Sequence, residues 1–267
     1  METPMTEAAV TTEIDSRGVA TVRINRAERA NAYNGAVIDG LYEAANRAAA
    51  EDAVRIVVLR GTGKHFCGGA DLAFLKEMGV ATEARNREFS IRTTGAIRAL
   101  NELPKPTIAA VSGACYGGGM GMAAACDIAI GAENCAFGLT EVRFGIVWSP
   151  IAHAMDAAIG TRETRRYALS GERFGAAEGL RIGLLHEVVA AEALDSRVAA
   201  LVDTLLANGP EAMAAAKSLV LDLAGLRMSD ETLAEIAQEA AYMRAQPEAK
   251  EGLSAFLEKR VPAWATR

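Results

Sequence analysis

Glu141 lies in the run AFGLTEVRFGI (residues 136–146), among apolar neighbours and two residues before Arg143. A carboxyl group surrounded by apolar side chains loses hydration in its charged form. Its pKa then rises, and it can carry protons near neutral pH. The competing reading makes Glu141 a structural partner of Arg143 or Arg165. Two glycine-rich loops precede it. In GTGKHFCGGADL (61–72), Gly68 and Gly69 allow close backbone approach, Ala70 adds no bulk beside its N–H, and Asp71 suits the cap of a following helix. In AAVSGACYGGGMGMAAACDIAI (109–130), Gly117, Gly118 and Gly119 open a helix, where unpaired amides and the helix dipole favour an anion or a developing oxyanion. No Gly-Lys-Ser/Thr follows, and the glycine spacing is not that of a dinucleotide fingerprint. Each glycine taken singly reads as a tight strand-to-helix connection. Together the residues indicate a carbonyl or anion held by backbone amides.

Such residues need a rigid frame. AVTTEID (9–15) and VATVRIN (19–25) are rich in β-branched residues and flank Ser16-Arg17-Gly18, which predicts a hairpin. Residues 34–50 have helical spacing, with Asn34 as N-cap and Val37, Ile38, Leu41, Tyr42 and Ala45 on one face. Val54–Leu59, Thr107–Val111 and Asp127–Ile130 read as strands, the first two as buried ones, and residues 83–102 as a long amphipathic helix. This succession is α/β. Beyond residue 190 the pattern becomes helical over 191–207, 210–226, 229–245 and 247–259. We divide the chain into a core of residues 1–190 and a helical oligomerisation subdomain of 191–267. The apolar positions Leu219, Leu223, Leu233, Ile236 and Met243 require a partner, either the core or a neighbouring subunit.

The chain has 267 residues, is 51% hydrophobic and carries a formal charge of −6. That balance argues against nucleic-acid binding, which needs a positive field. No apolar run approaches a membrane span, and the N-terminus lacks the basic and apolar regions of a signal peptide. Cys67, Cys115, Cys126 and Cys135 form no CxxC pair and read as reduced thiols of a cytoplasmic protein. His65, His153 and His186 are scattered, so no metal is expected.

Taken together, INRAERANAYNG (24–35), the two glycine loops, SGERFGAAEGLRIGLLHEVV (170–189) and AFLEKRVPAW (255–264) resemble, in order and spacing, the crotonase (enoyl-CoA hydratase/isomerase) superfamily. The resemblance runs over nearly the whole chain. It implies a spiral of ββα units with C-terminal helices, a homotrimer or dimer of trimers, and an acyl-CoA thioester as substrate. Coenzyme A is then part of the substrate, and no separate cofactor is implied. It assigns the backbone N–H groups of Ala70 and Gly118 to the thioester oxygen and the acid/base role to Glu141. Arg29, Ala30, Ala32, Gly68, Asp71 and Leu72 fall where the family holds coenzyme A. Phe256 and Lys259 fall where the terminal helix reaches the nucleotide of an adjacent subunit.

Two departures matter. Typical hydratases carry a first glutamate two residues after Gly119, where this chain has Gly121. The stretch GIVWSPIAHAMDAAIG (145–160) replaces a glycine-rich family segment and places Trp148 where it can wall the acyl pocket. The pattern is closest to methylglutaconyl- or isohexenylglutaconyl-CoA hydratases, which points to a branched glutaconyl thioester from leucine or isoprenoid breakdown. Arg143 is a candidate for a substrate carboxylate. His153 is a candidate replacement acid, though a lone histidine in a helix is more often packed or at the surface. Hydration is the leading reading. The alternatives are a Δ3-Δ2-enoyl-CoA isomerase, which needs one carboxylate only, and a non-catalytic CoA-ester- or RNA-binding protein of the same fold.

Overall fold

The computed structural model describes residues 8–225 and 227–265. The N-terminal residues 1–7, position 226 at the end of the expected helix 210–226, and residues 266–267 of the expected C-terminal subdomain lie outside the described residues.

The expected hairpin is present: β1 (Val10–Ile14) pairs antiparallel with β2 (Val19–Ile24), and Gly18 between them has a φ of +83°. After the short 3-10 turn Ala27–Arg29, helix α1 (Gly35–Ala50) starts at Asn34, whose side chain accepts from the Val37 N–H. That bond satisfies one donor the helix start leaves unpaired. Val37, Ile38, Leu41 and Ala45 are buried, but Tyr42 is 48% exposed, because the buried stripe of α1 runs instead through Ala44 and Ala48.

Strand β3 (Ile56–Gly61) begins two residues later than Val54, which is buried ahead of it. Helices α2 (Leu72–Gly79) and α3 (Glu83–Asn101) lead to β4 (Thr107–Val111), found where expected and buried at all five positions. Strand β6 (Ile128–Ala132) follows, and β9 (Glu187–Val189) closes the sheet in the order β1-β2-β3-β4-β6-β9, parallel from β2 onward. Val58 faces Ile108 and Ile108 faces Ile128 across the ladders, so apolar side chains align into one core.

A second, smaller sheet was not legible in the sequence. It contains β5 (Ala114–Tyr116), β7 (Ala136–Gly138) and β8 (Phe174–Gly175), in the order β5-β7-β8. Helix α4 (Gly118–Ala124) leaves the end of β5, and α5 (Ala152–Ser170), interrupted at Gly160 with φ +71°, and α6 (Ala176–Arg181) flank β8.

The C-terminal helices are α7 (Leu194–Leu206), α8 (Pro210–Leu223), α9 (Asp230–Ala245) and α10 (Pro247–Leu257). They pack on the core: α9 lies along α3, α10 touches α2, and α7 covers β3, β4 and β6. Leu233 is buried, whereas Leu219, Val220 and Leu223 on α8 are 58%, 62% and 80% exposed. All four cysteines are buried free thiols. Burial pushes Cys67 up to about 11 and Cys126 and Cys135 up to about 12, with Cys115 also well above the ordinary range.

Candidate active site

The two glycine loops meet through isolated β-bridges, Tyr33 to Ala70 and Cys67 to Cys115. Tyr33 donates to the Gly69 carbonyl at 2.8 Å and accepts from the Asp71 N–H at 2.8 Å. Backbone groups alternate sides along an extended strand, so the intervening Ala70 N–H points away from Tyr33. No described group accepts from it. The Gly118 N–H is likewise unpaired among the described residues, as the first turn of a helix dictates.

Ala70 and Gly118 both line a cavity of about 370 Å³. Glycine is required at its floor. Gly117 has φ +51°, and a β-carbon there would stand 2.6 Å from Glu141 Oε1. A β-carbon on Gly118 would stand 2.5 Å from the Tyr33 ring.

Glu141 opens the 3-10 turn Glu141–Phe144 just after β7 and lines the same cavity. Its Oε2 is buried with no hydrogen-bond partner. Burial raises its pKa to about 7, against the opposing effect of its own backbone N–H. Neither Arg143 nor Arg165 pairs with Glu141 among the described ion pairs. Arg143 lines the cavity as an exposed side chain.

The cavity wall brings together Gly68, Ala70, Leu72, Gly118, Glu141, Trp148 and Phe256. Arg29, Ala30, Ala32, Asp71 and Lys259 lie outside it. Arg29 and Lys259 are exposed, and the Ala30 carbonyl accepts from Gly68 N–H at 2.8 Å, which fixes the loop. Asp71 caps α2 through bonds from Ala73 and Phe74 and pairs with Arg26 at 2.7 Å. Its charge is thus already committed. Phe256 covers the cavity of its own chain and packs edge-on against Phe144 at 4.4 Å.

His153 is half-buried on α5 and does not line the cavity. His65 and His186 use Nδ1 to accept backbone N–H groups of Ala114 and Ala129, so both are structural. No group of metal-ligating side chains occurs among the described residues. Sequence reasoning missed Tyr33, Ile151 and Arg244, which all line the cavity. Tyr33 sat within the motif INRAERANAYNG and Ile151 within the stretch GIVWSPIAHAMDAAIG, but neither side chain was singled out. Arg244 carried no local signal.

A family model described as Enoyl-CoA hydratase/isomerase matches residues 15–267. Over 245 residues the chain is 31% identical to a crotonyl-CoA hydratase of Syntrophomonas wolfei, covering 91% of this chain and 92% of that one. Identity and coverage are the same for a short-chain-enoyl-CoA hydratase of Clostridium acetobutylicum. The crystal structure of an enoyl-CoA hydratase from Mycobacterium avium superposes with a TM-score of 0.85 at 32% identity, over 97% of this chain and all of that one.

Proposed function

This chain belongs to the enoyl-CoA hydratase/isomerase family, and from that premise we propose that it adds water across the 2,3 double bond of an acyl-CoA thioester. The thioester oxygen sits between the N–H groups of Ala70 and Gly118. Glu141 takes a proton from water as the water oxygen bonds to C3. The electron pair of the double bond moves through C2 onto the thioester oxygen, where the two amides stabilise the enolate. Glu141 then returns its proton to C2, so that one water has been added and the carboxylate is regenerated. Coenzyme A is consumed and released as part of substrate and product.

The observation that carries this reading is the Glu141 carboxyl, unpartnered at Oε2 and poised at about 7, in one cavity with two free amides. A general base works best with a pKa near the working pH. The test is hydration of a 2-enoyl-CoA by Glu141→Gln: near-normal turnover would refute the assignment.

Gly121 favours one second reading, a Δ3-Δ2 isomerase, because a single carboxylate suffices to move a proton from C2 to C4. A 3-enoyl thioester assayed in isotopically labelled water separates the two by oxygen incorporation against bond migration.

The finer reading is a branched glutaconyl thioester. Trp148, Ile151 and Pro150 lining the cavity support a shaped, bulky wall. We further assign a homotrimer or dimer of trimers, with the exposed Leu219, Val220 and Leu223 as the face to be covered, testable by sedimentation. Cytoplasmic residence without nucleic-acid or membrane partners belongs to the same proposal. It is supported by the net charge of −6, and no described helix is long and apolar enough to cross a membrane.

A further inference from the structure

Arg244 projects from α9 into the wall of the active-site cavity, beside Phe89 and Thr93 of α3. Its described hydrogen bonds all leave from one nitrogen: Nη1 donates to Ser90 Oγ at 2.9 Å and to the Asn86 carbonyl at 3.5 Å. The Nε and Nη2 edge has no described acceptor, yet neither atom is sealed from solvent-accessible space. No described carboxylate pairs with this guanidinium, in contrast to Arg26, which is similarly enclosed and held by Asp71. Burial lowers its pKa, with the Tyr33 phenol opposing that effect. A guanidinium enclosed without a counter-ion is costly unless something completes it. The open Nε and Nη2 edge has the two-pronged geometry that matches a carboxylate.

Tyr33 relates this group to the reaction centre. Its hydroxyl lies 3.1 Å from the β-carbon position of Gly118, and its phenol is within electrostatic reach of both Glu141 and Arg244. Phe89, Thr93 and Arg244 line the same cavity as Ala70 and Gly118, so an acyl chain leaving the amide pair along that wall would reach the guanidinium. We infer that Arg244 anchors a carboxylate at the far end of the acyl group, so that the substrate is a short 2-enoyl-CoA thioester of a dicarboxylic acid. This rests on the hydratase reading above and adds the residue that selects the acyl class.

The test compares glutaconyl-CoA with 2-pentenoyl-CoA, equal in chain length, on the wild-type protein, Arg244→Gln and Arg244→Lys. The readout is the ratio of the two kcat/KM values. A site built to bond a polar group discriminates strongly against an analogue lacking it, so the wild-type ratio is expected to be roughly 10²-fold or more in favour of the carboxylate. The ratio collapses toward one in Arg244→Gln and recovers in part in Arg244→Lys. A wild-type ratio near one, or a fall of both substrates together in Arg244→Gln, overturns the proposal and leaves Arg244 as a tie between α9 and α3. Calorimetric binding of glutaryl-CoA against valeryl-CoA gives a second readout that needs no turnover. If neither unsaturated thioester is turned over but glutaryl-CoA binds at least about tenfold tighter in an Arg244-dependent way, the hydratase reading fails and the subsite stands. Equal binding of the two saturated thioesters overturns the subsite itself.

Discussion

Ile151 fills the space that any side chain at position 121 would enter: a β-carbon on Gly121 would stand 2.2 Å from Ile151 Cγ2 and 2.4 Å from its Cβ. The missing first glutamate and the isoleucine that closes over its place are thus one structural fact. Gly121 is buried inside α4, and Ile151 lines the cavity as a wholly buried apolar group. Apolar surface stands where the resemblance to typical hydratases would place a second carboxyl.

Gly121→Glu should therefore fail to restore a two-carboxylate site. Overpacking of this kind costs roughly 1–3 kcal/mol. Gly121→Glu with Ile151→Ala should be less destabilised than the sum of the single variants, because the second change opens the space the first one needs. Urea unfolding of the four proteins checks this.

Glu141→Gln should lower hydration by roughly 10²–10⁴-fold and at the same time change stability in a pH-dependent way. The folded carboxyl titrates at about 7 against an ordinary value of 4.5, so the folded state holds its proton more tightly. Its contribution is fully present below pH 4.5 and is lost as pH rises through 7. At about 1.4 kcal/mol per pH unit the ceiling is about 3.5 kcal/mol. Glu141→Gln should melt higher than wild type at pH 8 and gain least at pH 5, as thermal scans at the two values will show.

The same titration sets the rate profile. In the proposed mechanism the deprotonated form is the base, so kcat/KM of the wild-type protein should rise with pH through about 7 and level off above it. A flat profile between pH 6 and 8, with substrate ionisation controlled, would contradict a role for Glu141 in the rate-limiting proton transfer.

Gly118→Ala should displace one of the two amides, because its new methyl group would meet the Tyr33 ring at 2.5 Å. Loss of one oxyanion donor costs about 10²–10³ in kcat. Steady-state kinetics should show the loss mainly in kcat, with the protein still folded by circular dichroism.

Much of this frame could be read in advance. The hairpin, the Asn34 cap, β4 and the four C-terminal helices follow from periodicity and turn chemistry, which are local signals. Glu141 and the glycine loops were visible because their residue types are unusual in apolar surroundings. The small sheet β5-β7-β8 escaped because strands of two or three residues have no period to detect. Arg244 escaped for a different reason: on a helix with Glu235, Glu239 and Arg244 it looks like one more solvated charge. Only the packing of α9 on α3 turns it into the cavity.

Asp71→Asn should test the frame beneath the first loop. The side chain keeps an acceptor for the α2 cap but leaves Arg26 without its anion, in a pair whose side chains are 8% and 17% exposed. Breaking such a pair costs roughly 3 kcal/mol. Burial acts to raise the Asp71 pKa, but the bonds from Arg26, Phe74 and Ala73 outweigh it and hold the carboxyl below 3.8. This contribution is present above pH 3.8 and fades as pH falls further, so the penalty of the substitution should shrink in acid. Urea midpoints at pH 7 and in acid decide it.

The four enclosed thiols make the chain its own unfolding clock. With every cysteine 7% exposed or less and its proton held more firmly than usual, alkylating reagents have no thiolate to attack while the fold is closed. Labelling then proceeds only through molecules that have opened. The speed of that labelling in native buffer reports how often they do, with no probe introduced into the sequence.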